Sequence, residues 1–478
     1  MTNIFLAKRA GTGSTPISST IPAAIPEHPR QLTLDSIEPN CSSSGSSSAA
    51  GGDAEAVLAA AAVRADPSAA AGSGGSTAAA AVRTDPSAAA GSGGSTAAAA
   101  VRADPLAAAG SGGSTAAVRA EGLYLAGRFE DALAELNRAN QEEPGNAFVL
   151  CMKGEVQRVL GQFQESLADL DRADELCPGD VFTLTARGEV KRALGMSEEA
   201  LQDLDRAHAL DATNAFILCA RGNVKRKLGQ LKEALEDLEA AEQLLLMLPQ
   251  GGSCRPLLHK LRGDVYRRLG RFVEALQDLD QAHELHLADA YVMRIRGAVK
   301  CGLGMFEDAL IDLNVAHELN PNSALTLATR GDVKAKLGLY EAALEDLDKA
   351  DMLQRDSPGV LQCKGEVKRL LGRYDEALAD LNAADAIEPG AVFTLQTRGA
   401  VKWRLGMLVG ALEDLNRAAQ LDGGDADVLA FRAAVKLETG DWEGALRDAG
   451  QAQQLFEQPG RQWVPETAAL CQQLLAKG

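Results

Sequence analysis

From Ala120 onward, apolar residues recur with two spacings at once. Locally they fall three and four apart, as in Ala200, Leu201, Leu204 and Ala207, the stripe of an amphipathic helix. Over a longer distance the whole pattern repeats. Glycines stand at Gly154, Gly188, Gly222, Gly263, Gly297, Gly331, Gly365 and Gly399, 34 residues apart except for one gap of 41. Stepping 34 outward from either end lands on Ala120 and Ala433, so the period covers ten units. Seven residues after each of these ten positions stands a second glycine, from Gly127 to Gly440.

These columns predict two helices per unit. A capping residue precedes the first helix in most units (Asn146, Asp180, Asn214, Asp289, Ser323, Ser357 and Asp425), and its side-chain oxygen can accept an orphan backbone N–H. Pro358 follows Ser357 where a starting helix tolerates proline. The second glycine suits a left-handed helix end, where a side chain is strained. The second helix opens on acids such as Glu165, Glu199, Glu233 and Glu274, which favour its positive end. One such hairpin cannot bury its apolar stripe alone, so the units are expected to stack into a solenoid.

The same columns resemble the tetratricopeptide repeat family over roughly residues 113 to 456. The matching residues are the first glycine at a 34-residue period, Ala twelve after it in nine of ten units (Ser166 is the exception), Ala nineteen after it in all ten, and Pro144, Pro178, Pro321 and Pro389 twenty-four after it. Leu stands in most places where the family carries bulky aromatics, which marks a leucine-rich variant. The resemblance implies an all-α, right-handed superhelical solenoid of antiparallel helix pairs. It also implies a non-catalytic scaffold whose first helices line a concave groove for a peptide or helix of a partner protein. Carried onto this sequence, the groove positions give Phe148, Phe182 and Phe216 beside Arg158, Arg192 and Arg226 in units two to four. Aromatic anchors and arginine forks often dominate binding energy. Two plainer readings stay open: Glu155/Arg158 and Glu189/Arg192 are i,i+3 pairs that can neutralise each other, and the phenylalanines can pack against the preceding unit.

The carboxylate clamp by which co-chaperones of this family hold heat-shock-protein C-terminal tails is absent. The only Asn one after the first glycine is Asn223, its partner three before is Cys219, and no Lys stands six before any first glycine. Two further columns are more regular. A base precedes the first glycine in every unit (Arg119, Lys153, Arg187, Arg221, Arg262, Arg296, Arg330, Lys364, Arg398, Arg432), and an acid follows fifteen after it, from Glu135 to Asp448. Facing each other across antiparallel helices, these can form an ion-pair ladder within or between units, a scaffolding role.

Composition separates the rest of the chain. Residues 42 to 117 hold 59 Ala, Gly, Ser or Thr among 76, including a near-verbatim 19-residue repeat with Pro67, Pro86 and Pro105 in register. Such a segment cannot bury enough apolar surface to order itself, so residues 1 to 112 are expected to be disordered. Its Gly-Ser-Gly-Gly runs lack the Lys and Ser/Thr of a phosphate loop. A seven-residue insertion near 244–256 (LLLMLPQGGSCRP) accounts for the 41-residue gap, either lengthening the second helix of unit four or protruding as a loop. Residues 457 to 478 are expected to form a C-terminal capping helix.

The net charge is −18, with 42 bases against 58 acids after residue 118. That balance argues against nucleic acid and so against the alternative of a helical-repeat RNA binder of the pentatricopeptide kind. A self-associating structural assembly protein is the other alternative. His208, His283 and His317 share a column in which other units carry acids, the eight cysteines form no C-x-x-C pair, and no catalytic, metal or nucleotide motif is present. No catalysis, metal or cofactor is therefore expected. With no secretory core and no 18-residue apolar run, no membrane association is expected and the compartment is read as cytoplasmic. An organelle is the alternative if residues 1 to 26, basic only at Lys8 and Arg9, act as a transit peptide.

Overall fold

The computed structural model describes residues 115–247, 254–286, 289–457 and 465–476. The segment expected to be disordered, residues 1 to 112, lies outside them together with the transit-peptide reading, as do residues 248–253 of the insertion. The described residues are helical, without a strand. In chain order the pairs are α1 (Thr115–Leu125) and α2 (Phe129–Glu142), α3 (Ala147–Val159) and α4 (Phe163–Leu176), α5 (Val181–Ala193) and α6 (Ser197–Leu210), α7 (Ala215–Lys227) and α8 (Leu231–Leu246), and α9 (Arg255–Arg268) and α10 (Phe272–Leu285). They continue with α11 (Ala290–Gly302) and α12 (Phe306–Leu319), α13 (Ala324–Lys336) and α14 (Tyr340–Leu353), α15 (Pro358–Leu370) and α16 (Tyr374–Ile387), α17 (Val392–Arg404) and α18 (Leu408–Leu421), and α19 (Ala426–Glu438) and α20 (Trp442–Phe456). A last helix, α21 (Pro465–Leu475), packs on both α19 and α20.

Local chemistry sets these boundaries. Asn146, Asp180, Asn214, Asp289, Ser323 and Asp425 each accept a backbone N–H from the first turn of the helix they precede. Ser357 does not: it has the extended backbone of a cap, yet its buried hydroxyl finds no partner. Pro358, which follows it, fixes the first helical φ. All ten second glycines have positive φ, from 73° at Gly127 and Gly406 to 87° at Gly440. The insertion lengthens α8 to 16 residues, where neighbouring second helices have 14, and α7 still packs against α9 across it.

Within a unit the two helices cross where the first glycine meets a leucine sixteen residues later. A Cβ on Gly297 would sit 2.7 Å from Leu313 Cγ, and one on Gly365 2.6 Å from Leu381 Cγ. Unit ten solves the same contact differently, with Ala433 and Ala449 both fully buried. Ser166, the exception in the alanine column, donates its hydroxyl to the carbonyl of Gly154 at 2.6 Å, so its polar atom is satisfied in the core. The leucine, valine and alanine columns are buried in unit after unit, and each fully buried Leu or Val is worth roughly 1.5–3 kcal/mol.

Between units the packing is asymmetric. Each second helix packs on the next first helix, and each first helix also packs on the next first helix, from α1 to α19, whereas no two second helices pack comparably among the described residues. The first helices are therefore the inner wall of the curve and the second helices its outer layer. This is a solenoid of the tetratricopeptide type.

Candidate functional site

The ion-pair columns lie between the two layers, and they connect both within and between units. Arg187 binds Asp203 through Nε and Nη2, both at 2.7 Å, while Lys191 donates to the same carboxylate at 2.6 Å. Arg330, Lys334 and Asp346 repeat this arrangement, as do Arg398, Lys402 and Asp414. The free edge of the guanidinium then reaches the preceding second helix: Arg187 Nη1 lies 3.2 Å from Asp171 and 2.9 Å from Asp174, and Arg398 Nη1 lies 2.8 Å from Asp385. Unit eight departs from the pattern, because Lys364 turns entirely to Asp348 and Asp351 of the unit before it and leaves Asp380 to Lys368. Burial alone pushes the Asp203 and Asp346 carboxyls up, and hydrogen bonds from Arg and Lys more than reverse it, so both lie below the usual carboxylate range. These acids are engaged inside the scaffold. They do not form a free acidic surface.

The contacts between neighbouring inner helices are less uniform. Arg158 is held by Glu155 on its own helix through two bonds of 2.7 Å, and Tyr124 of the preceding unit donates to the same carboxylate at 3.0 Å. Arg192 pairs with Glu189 at 3.2–3.3 Å. Arg226 differs: its own helix offers only Asn223 (3.0 Å), and it reaches Asp264 of the next unit at 2.5 Å. Phe182 is 6% exposed, in one apolar cluster with Val149, Cys151 and Met152 of the preceding unit, and Phe148 packs half-buried against that cluster. Phe216 is half-buried against the cluster of Leu218, Ala234 and Leu238. The structure thus sets the three arginines along one inner wall and packs the three phenylalanines against the core.

Asp264 is fully buried and is the centre of this wall. Besides Arg226 it accepts from Arg267 Nε (2.9 Å), Arg268 Nε (3.3 Å) and the Tyr291 hydroxyl (3.0 Å). Burial pushes its carboxyl up, but Arg267 and Arg226 outweigh that and hold it at about 2. The Tyr291 ring lies between two cations, with Lys260 Nζ 4.6 Å and Arg294 Cζ 5.0 Å from its centroid. Arg294 was not singled out by the repeat columns. The signal for it lay in the place three before the first glycine, where most units carry a neutral residue such as Thr185, Ala328 or Gln396.

Other chemistry is sparse. The Nδ1 atoms of His208, His283 and His317 have no protein partner, and among the described residues no cluster of His, Cys, Asp or Glu is placed to hold a metal ion. A cleft of about 410 Å³ between α8 and α10 is lined by acids and amides, among them Glu239, Glu242, Glu274 and Gln277. No described helix is long and apolar enough to cross a membrane.

No family model matches the sequence, and no curated protein does. Solved structures do. The chain is similar to a tetratricopeptide repeat protein from Parabacteroides merdae at 23% identity, covering 55% of this chain and 97% of that one, with a TM-score of 0.42. It is similar to YrrB, described as a TPR protein with an unusual peptide-binding site, at 27% identity, covering 41% and 97%, with a TM-score of 0.31. It is also similar to human IFIT1, solved as a dimer with m7Gppp-AAAA, at 16% identity, covering 71% and 80%, with a TM-score of 0.46.

Proposed function

We propose that this chain is a protein-interaction scaffold whose inner wall binds a peptide or helix of a partner protein. The observation that supports it is the unbroken side-by-side packing of first helices from α1 to α19, which brings equivalent side chains of successive units into register along one rigid surface. A preformed surface of this kind loses little entropy on binding, so many weak contacts can add up. In units two to four the contact set is Phe148, Phe182, Phe216, Arg158, Arg192 and Arg226. The half-buried Phe148 and Phe216 offer ring edges while Phe182 is set into the core beneath them, and the arginines offer the donor edges left beside their carboxylate partners.

Peptides selected from a random displayed library on the full chain test this reading. Changing Arg158 and Arg192 together to Lys keeps a positive charge beside the buried Glu155 and beside Glu189 but removes the planar two-pronged fork. The expected result is a loss of peptide affinity of roughly tenfold or more with unchanged helical circular dichroism. Selected peptides that bind the double variant as tightly as the parent would remove units two and three from the site.

A further inference from the structure

We infer that the inner face of units four to six is an anchor for a carboxylate of an acidic peptide, with Arg226 and Arg294 as its donors beside the buried Asp264. This inference rests on the groove reading and names the chemistry at one point along it.

Charge balance along the inner wall singles out these units. Where an arginine stands four after the first glycine in units two, three and eight, its own helix supplies an acid three residues earlier: Glu155 for Arg158, Glu189 for Arg192 and Glu366 for Arg369, with contacts of 2.7 to 3.3 Å. In unit four that acid is replaced by Asn223, while unit six carries neither the arginine nor the acid at these places, having Cys301 and Ala298. Arg226 must therefore share Asp264, whose two oxygens already receive Arg267, Arg268 and Tyr291. A carboxylate has about four acceptor positions, so Asp264 has none left for another cation.

Arg294 is that further cation. It is 7% exposed, forms no ion pair among the described residues, and its Nε is buried without a hydrogen-bond partner. The Nε of Arg226 is buried and unpartnered too. Unfilled guanidinium donors at such depth are costly unless a counter-charge completes them. The planar guanidinium fork matches a carboxylate, and the Tyr291 ring beneath Arg294 keeps it oriented. On either side of these units the arginines four after the first glycine are self-neutralised, Arg158 and Arg192 on one side and Arg369 on the other. That favours a short acidic segment over a polyanion such as RNA, which needs cations along its whole length.

The test is fluorescence anisotropy on the full chain with three labelled probes: a twelve-residue peptide of alternating Glu and Leu, its Gln–Leu twin, and a twelve-nucleotide oligoadenylate. The Glu–Leu peptide should bind roughly tenfold or more tightly than the Gln–Leu twin, and added salt should weaken it. Asn223→Glu, which restores the acid present in units two, three and eight, should remove that preference without lowering Tm. Arg294→Gln should do the same, while Arg172→Gln, exposed on α4, should leave it intact. If Arg294→Gln misfolds, Asn223→Glu decides alone. Equal affinity for the two peptides, no saturable binding of the Glu–Leu peptide, an indifferent Asn223→Glu, or tighter binding of oligoadenylate overturns the anchor. Library-selected peptides that still bind through Arg158 and Arg192 in that event leave the groove standing, whereas failure of those peptides as well removes both.

Discussion

Arg330 and Arg226 both stand on inner helices, one just before the first glycine of its unit and the other four after it. Arg330 faces the second helix and binds Asp346 by two bonds of 2.7 and 2.8 Å, a partnership found again at Arg187, Arg221, Arg296, Arg398 and Arg432. Arg226 reaches along the inner helices instead, where Asn223 stands in place of an acid on its own helix and its carboxylate partner lies in another unit. A contact that recurs in unit after unit carries the stacking, which every unit needs equally. A contact that changes between units is free to carry recognition.

If that division holds, the largest loss of stability should come from the interhelix side. Asp346→Ala leaves Arg330 and Lys334 facing each other across a site where the carboxylate was almost fully buried. Removing one partner of such a cluster typically costs about 3–5 kcal/mol. Asp348, half-exposed beside Lys364, should cost at most about 1 kcal/mol when changed to Ala. Denaturant unfolding of both variants checks the contrast, and equal losses would erase it.

The glycine–leucine crossing should rank next. Leu313→Ala opens a cavity worth about 2–5 kcal/mol, and Gly297→Ala overpacks Leu313 by about 1–3 kcal/mol, partly offset by the better helix propensity of Ala, about 1 kcal/mol. The double variant recreates the Ala433/Ala449 pair of unit ten. It should be more stable than the sum of the single losses by about 1 kcal/mol or more. Strict additivity would mean that the two side chains do not compete for one space.

Acid should reveal the same scaffold. Asp203, Asp278, Asp346 and Asp448 are all held below the ordinary carboxylate range: burial raises each, and hydrogen bonds from Arg, aided by Lys or His259, reverse it. In the unfolded chain an aspartate titrates near 3.9. The unfolded state therefore takes up protons first, so the stability these groups supply is complete above about pH 4 and is lost as the pH falls through their folded values. For Asp264 that window extends down to about 2. Tm measured from pH 7 to 2 should stay nearly level at first and then fall steeply below about 4.

How much of this could be read from the chain alone differs between the two sides for a physical reason. Anything dictated by backbone geometry or by a contact common to all units appears as a column: the ten glycines at positive φ, the helix-opening caps, the alanines at the crossing. Ser357 has the backbone of a cap, but its hydroxyl accepts no backbone N–H from the helix it precedes, a difference that only the folded geometry shows. The base and acid columns were legible as a pair, but not the reach of Arg187 to Asp171 and Asp174, since that depends on how units stack. The phenylalanine column suggested groove contacts, and only packing shows Phe182 set into the core of the preceding unit. Arg294 was hidden because reading columns rewards sameness, and its meaning lies in being an exception.

The smallest effect is the most discriminating for the groove. Asn223→Glu adds one acid three residues before Arg226 on the same helix, a pairing worth about 0.2–0.5 kcal/mol elsewhere, and Asn223 already contacts Arg226 at 3.0 Å. If units four to six carry an excess of buried positive charge, the new carboxylate relieves it, and the variant should be as stable as the parent or slightly more so. If Asp264 already balances the local charge, a second carboxylate beside it meets a neutralised neighbour and should destabilise by like-charge repulsion. The sign of a few tenths of a kcal/mol, read from paired denaturation curves in low salt where such interactions are least screened, therefore reports whether this stretch of the inner wall is kept electrostatically incomplete. A stabilising sign together with weaker binding of an acidic peptide would mean that asparagine here favours the ligand at the expense of the fold, the exchange expected of a recognition surface.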